Sequence, residues 1–295
     1  MKYLFFSVFF FQSISIFGQI LDNYRGRLFG DECMFNENFI RDNKIKKISG
    51  TFSKKEEMQI IENLYTVEIY TFGLNGKPLE YLKSFRTRGG TIDTTAESFK
   101  YNNLDEIIQK TKHVTGGYNS IQYNYDKEGN ITEEKIVRGQ WNSSSGNPRE
   151  TVVKTERSRH EVIQDTILVR TYLNTEGQAY RIRETVYGKM GIKRYEEMRY
   201  VLTNKKDITN YQYDDFGRLI KMIKVSNVAG NNTNTYTIDY DTLGNVERAK
   251  YYKNGKLFES QEYIYDPATL LLNARLIKDE EKSTIYITSY TYEYY

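Results

Sequence analysis

The chain has 295 residues, with 42 Lys and Arg nearly balanced by 39 Asp and Glu for a formal net charge of +3. That balance leaves no concentrated cationic field for nucleic acid. A single cysteine, Cys33, excludes an intramolecular disulfide and any paired-cysteine zinc motif, so it reads as a small buried hydrophobe.

In chain order, residues 1–18 read as a cleavable export signal. Lys2 gives the positive start, YLFFSVFFFQSISIF (3–17) the apolar run, and Gly18 the small residue for cleavage. Cleavage there exposes Gln19, the kind of N-terminal glutamine that cyclises in secreted proteins. No cysteine adjoins the site, which argues against a lipoprotein anchor. No later stretch is apolar over the length of a membrane-spanning helix, so no transmembrane span is expected after cleavage. The expected destination is periplasmic, cell-surface or extracellular. Residues 19–63 read as an irregular N-terminal cap covering one edge of a sheet. Within them, Ser53-Lys54-Lys55-Glu56 matches a capping box and predicts a short helix over residues 54–64.

From residue 64 to 295 the chain repeats itself. LYTVEIYTF (64–72) reads as strand, and three phrases share one plan: YNYDKEGNI (123–131), YQYDDFGRL (211–219) and IDYDTLGNV (238–246). Alternating aromatics place both rings on one sheet face. The aspartate suits the first position of a type I turn, and the glycine takes the positive φ that closes a bulged hairpin. Looser copies occur at 70–76, 99–107, 171–177 and 263–266, and 290–292 supplies a terminal strand. Read alone, residues 103–112 form a capped short helix; in register with 123–131 they form a hairpin, which the repeat favours. Second aromatic slots fall at Phe72, Tyr101, Tyr125, Tyr213, Tyr240 and Tyr265, roughly 24–29 residues apart in the clear stretches. Residues 141–155 hide a divergent unit. With 27 Tyr, the aromatic rings must supply much of the buried surface.

These Tyr-Asp-x-x-Gly phrases resemble the YD repeats of the Rhs family over residues 70–295, with longer and less regular spacing. The resemblance implies strand–turn–strand architecture; large members wind many repeats into a hollow shell around a toxin. The repeats here look too few to close such a shell. The expected fold is therefore all-β, an antiparallel meander of repeated hairpins forming a curled open sheet or partial barrel.

Chemistry is sparse. His113 and His160 fall in different units without metal spacing or a nucleophile elbow, so no catalytic, metal or cofactor residue is assigned. Asp126, Asp214, Asp241 and Asp266 could rim a calcium site, but each already has a turn to stabilise. Arg88-Gly89-Gly90-Thr91 reads as a bend, and residues 227–234 as a flexible linker. Trp141, in the polar stretch GQWNSSSGNP (139–148), is the one binding candidate; its ring would stack on a sugar or partner, or fold back onto the sheet. The function read from sequence is a secreted or envelope-exposed β-repeat binding or scaffold protein, its partner an envelope protein or glycan. The alternatives are a hydrolase acting on an envelope polymer and a remnant of a toxin-delivery shell.

Overall fold

The computed structural model describes residues 19–295 apart from 24, 31, 142–147, 189–190 and 229. The expected signal over 1–18 and most of the polar loop after Trp141 lie outside the described residues. One α-helix, α1 (Glu37–Asp42), precedes a run of strands. These are β1 (Ile45–Lys55), β2 (Glu62–Phe72), β3 (Pro78–Arg86), β4 (Ile92–Tyr101), β5 (Ile107–Val114) and β6 (Gly117–Tyr125). There follow β7 (Ile131–Trp141), β8 (Pro148–Ile163), β9 (Ile167–Leu173), β10 (Ala179–Tyr187), β11 (Lys193–Tyr200) and β12 (Lys206–Tyr213). The last are β13 (Leu219–Ser226), β14 (Asn232–Tyr240), β15 (Val246–Lys253), β16 (Lys256–Tyr265), β17 (Leu272–Asp279) and β18 (Thr284–Tyr294).

Each strand pairs antiparallel with the next, and β18 pairs with β1, so the meander closes into an 18-stranded barrel. This corrects the expectation of an open sheet or partial barrel. The physical reason is β1, which lies inside the segment read as an irregular cap. Ile48 stands opposite Tyr70 of β2 on one side and Tyr292 of β18 on the other, leaving no edge to cover. The helix expected over 54–64 is also absent. Lys54 and Lys55 end β1, and the Lys54 ammonium bridges Glu56 at 3.0 Å and Glu62 at 3.1 Å across the turn into β2. The linker read at 227–234 is likewise only a hairpin connection, because β14 begins at Asn232. On β8, residues up to Arg157 pair with β7 and residues from Arg157 onward pair with β9, the stagger by which tilted strands close a barrel.

The hairpin phrases do what their residues predict. Asp126, Asp214 and Asp241 each accept two backbone N–H bonds at 2.8–3.0 Å, and Gly129, Gly217 and Gly244 take φ of 79°, 78° and 91°. Asn102 and Asn174 head the same turn, with Asp105 and Gly177 at positive φ. The reading of 103–112 as part of a hairpin therefore stands over the helix.

The tyrosines add a device that the pattern alone did not reveal. The hydroxyls of Tyr101, Tyr125, Tyr240, Tyr265 and Tyr292 donate to the carbonyls of Pro78, Ile107, Leu219, Val246 and Leu272 at 2.7–2.8 Å. Each acceptor lies two residues past the positive-φ turn residue of the preceding hairpin, beside its register shift. Five hairpins are thus latched to the one before. We expect Tyr240→Phe to destabilise the protein by about 1–3 kcal/mol, the cost of stranding a buried acceptor. Tyr252→Phe on the outer face should change the denaturation midpoint little.

Residues 19–43 do not cap an edge; they fill the barrel. Gly26 lies beside Met222 of β13, Phe29 lies tilted against Tyr236 of β14 with ring centroids 4.5 Å apart, and Phe35 meets Tyr70, Phe72 and Tyr290 edge-on. One short segment can reach β2, β13, β14 and β18 together only from the concave side. Asn36 caps α1 through the N–H groups of Asn38 and Phe39, and the Lys77 ammonium ties the β2–β3 turn to Glu37 at 3.1 Å. The core is therefore the filled half of the lumen, where Ile20, Phe35 and Ile40 meet Phe72, Leu219, Val246 and Leu272.

Two turn glycines separate backbone strain from packing. Gly177 has φ 78° and open space where a Cβ would stand, so Gly177→Ala should cost only about 1–2 kcal/mol of left-handed strain. Gly76 has φ 82°, and a Cβ there would sit 2.0 Å from the Glu37 carbonyl oxygen. Gly76→Ala should lower the melting temperature clearly more; equal losses would show that the inner segment does not dock on that turn.

Candidate functional site in the lumen

A cavity of about 350 Å³ lies between the inner segment and the wall formed by β2 to β5, with Arg275 of β17 reaching into it. The strand period explains who faces it. Residues that share a face with the buried Tyr70 and Phe72 point into the lumen, and on β2 the next in that series is Glu68. Gly50 of β1 stands between Glu68 of β2 and Tyr290 of β18. A Cβ at Gly50 would fall 2.7 Å from Thr288 and 2.9 Å from Glu68, so its bare backbone lets the two flanking side chains meet. The Tyr290 hydroxyl donates to Glu68 Oε1 at 2.8 Å.

The cationic groups are poorly matched. Arg275 Nη2 is 4.0 Å from Glu68 Oε1, Nη1 contacts only the Met34 sulfur at 3.6 Å, and Nε is buried without a partner among the described residues. A guanidinium has five donors, so this one is under-satisfied. Lys83 lies over the Phe52 ring at 5.5 Å and forms no ion pair among the described residues. Lys112 reaches Glu97 only at 3.9 Å, because Lys110 holds that carboxylate at 2.9 Å. Tyr70 and Tyr81 stack with centroids 4.6 Å apart, and Phe99 completes an aromatic wall. Burial pushes the Tyr81 phenol up to about 12 and the Tyr70 and Tyr290 phenols well above their ordinary value, so all three stay neutral. Burial also raises the Cys33 thiol to about 12, which removes it as a nucleophile. A larger recess between α1 and the β16–β17 turn has its Arg41 and Asp42 paired with each other at 2.9 Å and so offers no comparable unmatched charge.

The residues singled out from sequence go elsewhere. Trp141 is 53% exposed at the end of β7, edge-on to Tyr118 at 6.1 Å, so it neither folds under the sheet nor joins the cavity. His113 approaches the Ser98 hydroxyl at 3.4 Å on the outer face. His160 Nε2 donates to the Ile131 carbonyl at 2.8 Å, the latch position that tyrosine occupies in other hairpins. Ser158 donates to the same carbonyl and accepts from Arg170, so its hydroxyl is committed. The aspartates named as a calcium rim hold separate turns, and no metal-binding cluster occurs among the described residues. Glu68, Lys83 and Arg275 were missed. The available signal was parity, a charged residue on the same strand face as the aromatic slot.

No family model and no curated protein matches this sequence. Among solved structures, a porin-like protein from Bacteroides uniformis overlaps 84% of this chain and 98% of its own, at 13% identity and a TM-score of 0.38. A porin-like protein from Bacteroides vulgatus gives the same coverages at 11% identity and 0.33. The TcdB2-TccC3-Cdc42 complex overlaps 74% of this chain but 14% of its own, at 12% identity and 0.19. Scores this low assign neither a family nor a function.

Proposed function

We propose that this chain is an exported β-hairpin-repeat barrel that works in water and binds a ligand in its partly filled lumen, without catalysis. The carrying observation is the sidedness of the wall. The lumen face bears most of the buried rings and the inner segment, and its charges pair with one another, as in Arg170 with Glu134 and Arg181 with Glu156, whereas the outer face carries mid-strand charges toward solvent. Lys47 pairs there with Glu293, and Glu133 with Arg157, and Arg248, Lys250 and Glu262 alternate with the buried Ala249, Gln261 and Tyr263. An outer-membrane barrel needs an apolar outward band, and each Arg or Lys at mid-bilayer costs about 2–4 kcal/mol. The resemblance of the hairpin phrases to YD repeats supports reading the ring as a small relative of that architecture.

The test is fractionation of the exported chain. It should appear in the aqueous phase of a detergent partition and stay monodisperse without detergent; retention in carbonate-washed membranes would overturn the reading. Trp141 offers a second contact surface, because it shares a projecting hairpin with the exposed Val152 and Val153. Trp141→Ala should shift stability by no more than about 0.5 kcal/mol. If this hairpin holds a partner, the substitution should abolish capture from envelope extract; unchanged capture removes this surface.

A further inference from the structure

We infer that the lumen cavity takes a small organic carboxylate, its anionic group facing Arg275 and its aromatic or apolar body lying against Tyr81 and Phe99. This rests on the reading of the lumen as the binding face and names what that face selects. Three observations carry it. First, Arg275 is packed between Glu68, Met34 and Tyr290, yet its geometry satisfies few of its donors. Glu68 lies beyond hydrogen-bond reach at 4.0 Å and already accepts from Tyr290. The guanidinium is buried with Nε unpartnered among the described residues and only a long ion pair to Glu68. Planar guanidinium donors of this kind match a carboxylate two bonds at a time.

Second, among the described residues lining the cavity the cations Arg27, Lys83, Lys112 and Arg275 outnumber the anions Glu32, Glu68 and Glu97. Glu97 is taken by Lys110, and Glu32 by Arg27 at 3.2 Å, so among the described residues Lys83 forms no ion pair and Lys112 reaches Glu97 only at 3.9 Å. That excess favours an anion over a cation. Third, the rest of the lining is suited to an uncharged body. Leu28, Met34, Tyr70, Tyr81 and Phe99 line the same space, and the phenols among them stay neutral through the physiological range. A volume of about 350 Å³ lies at the lower end of small-molecule pockets. A bare phosphate would meet the charge but leave the aromatic wall unused.

Titration calorimetry on the chain from residue 19 onward tests this with phenylacetate, inorganic phosphate and benzylamine as probes. Phenylacetate should saturate one site, phosphate should bind more weakly, and benzylamine should not bind. Arg275→Met should weaken phenylacetate by about tenfold or more, as expected for a lost charge-assisted pair. Lys83→Met, which changes an exposed luminal side chain, should weaken it by about threefold or more and decides the matter if Arg275→Met fails to fold. Lys250→Ala on the outer face should leave the affinity unchanged. No phenylacetate binding, binding equal to that of benzylamine or weaker than that of phosphate, or affinity indifferent to both luminal substitutions would each overturn the inference. A chain that stays soluble without detergent and captures an envelope component, yet ignores phenylacetate, keeps the lumen-binding reading and loses this one.

Discussion

Replacing Phe35 with Ala should lower the unfolding free energy by about 3–5 kcal/mol, among the largest effects of any single truncation in the chain. Phe35 is 1% exposed and belongs to no strand. In a barrel stabilised only by its ladder hydrogen bonds, a residue on a preceding segment would matter little. Here its ring touches Tyr70, Phe72 and Tyr290, the aromatics on either side of the β1 closure. Removing it opens a cavity at the seam where the first and last strands meet. Ile40→Ala, on α1 and fully buried, should cost about 2–5 kcal/mol by the same mechanism. Both changes are read by equilibrium denaturation. A loss below about 1 kcal/mol for Phe35→Ala would mean that the inner segment is an ornament and that the strands carry the fold alone.

That prediction also marks where sequence reading stopped. Hairpins were legible because each is local: an aspartate or asparagine, a glycine three residues on, and rings at alternate positions fix turn and register within about nine residues. Closure was not legible, because it depends on pairing IKKISGTFSKK (45–55) with residues 285–294 at the far end of the chain. Nothing local distinguishes β1 from a polar linker; Lys54, Lys55 and Glu56 even imitate a helix start. The same limit hid the luminal site. Glu68, Lys83, Lys112 and Arg275 lie on four strands and look like ordinary solvent-facing charges until closure turns one face of the sheet inward. Trp141 drew the eye because aromatics in polar loops are conspicuous, whereas a binding cavity made of strand charges has no local signature. His160 shows the converse: its latch to Ile131 becomes intelligible only when the tyrosine latches of neighbouring hairpins are seen beside it.

Alkaline pH should unfold this protein cooperatively, and the reason is the same luminal tyrosines. Burial raises the Tyr81, Tyr123 and Tyr236 phenols to about 12. It raises Tyr101, Tyr211, Tyr263, Tyr265 and Tyr292 further still. In the unfolded chain each would titrate near about 10. The folded state therefore holds more protons than the unfolded state above that pH, and stability falls as pH rises. The contribution of these groups is fully present below about pH 10 and is lost as pH climbs through their folded values. Ionisation would also convert the latching hydroxyls of Tyr101, Tyr265 and Tyr292 from donors into anions facing carbonyl oxygens, so each lost proton breaks a bond between hairpins. A titration following tyrosinate absorbance together with far-ultraviolet circular dichroism should show two populations. The first part of the absorbance change should leave the sheet intact. The remainder should ionise in one step that coincides with loss of the β signal. Smooth titration of all the tyrosines near the ordinary value, with the sheet intact, would show that the rings are accessible to water and that the lumen is not the packed interior on which both the fold and the binding site depend.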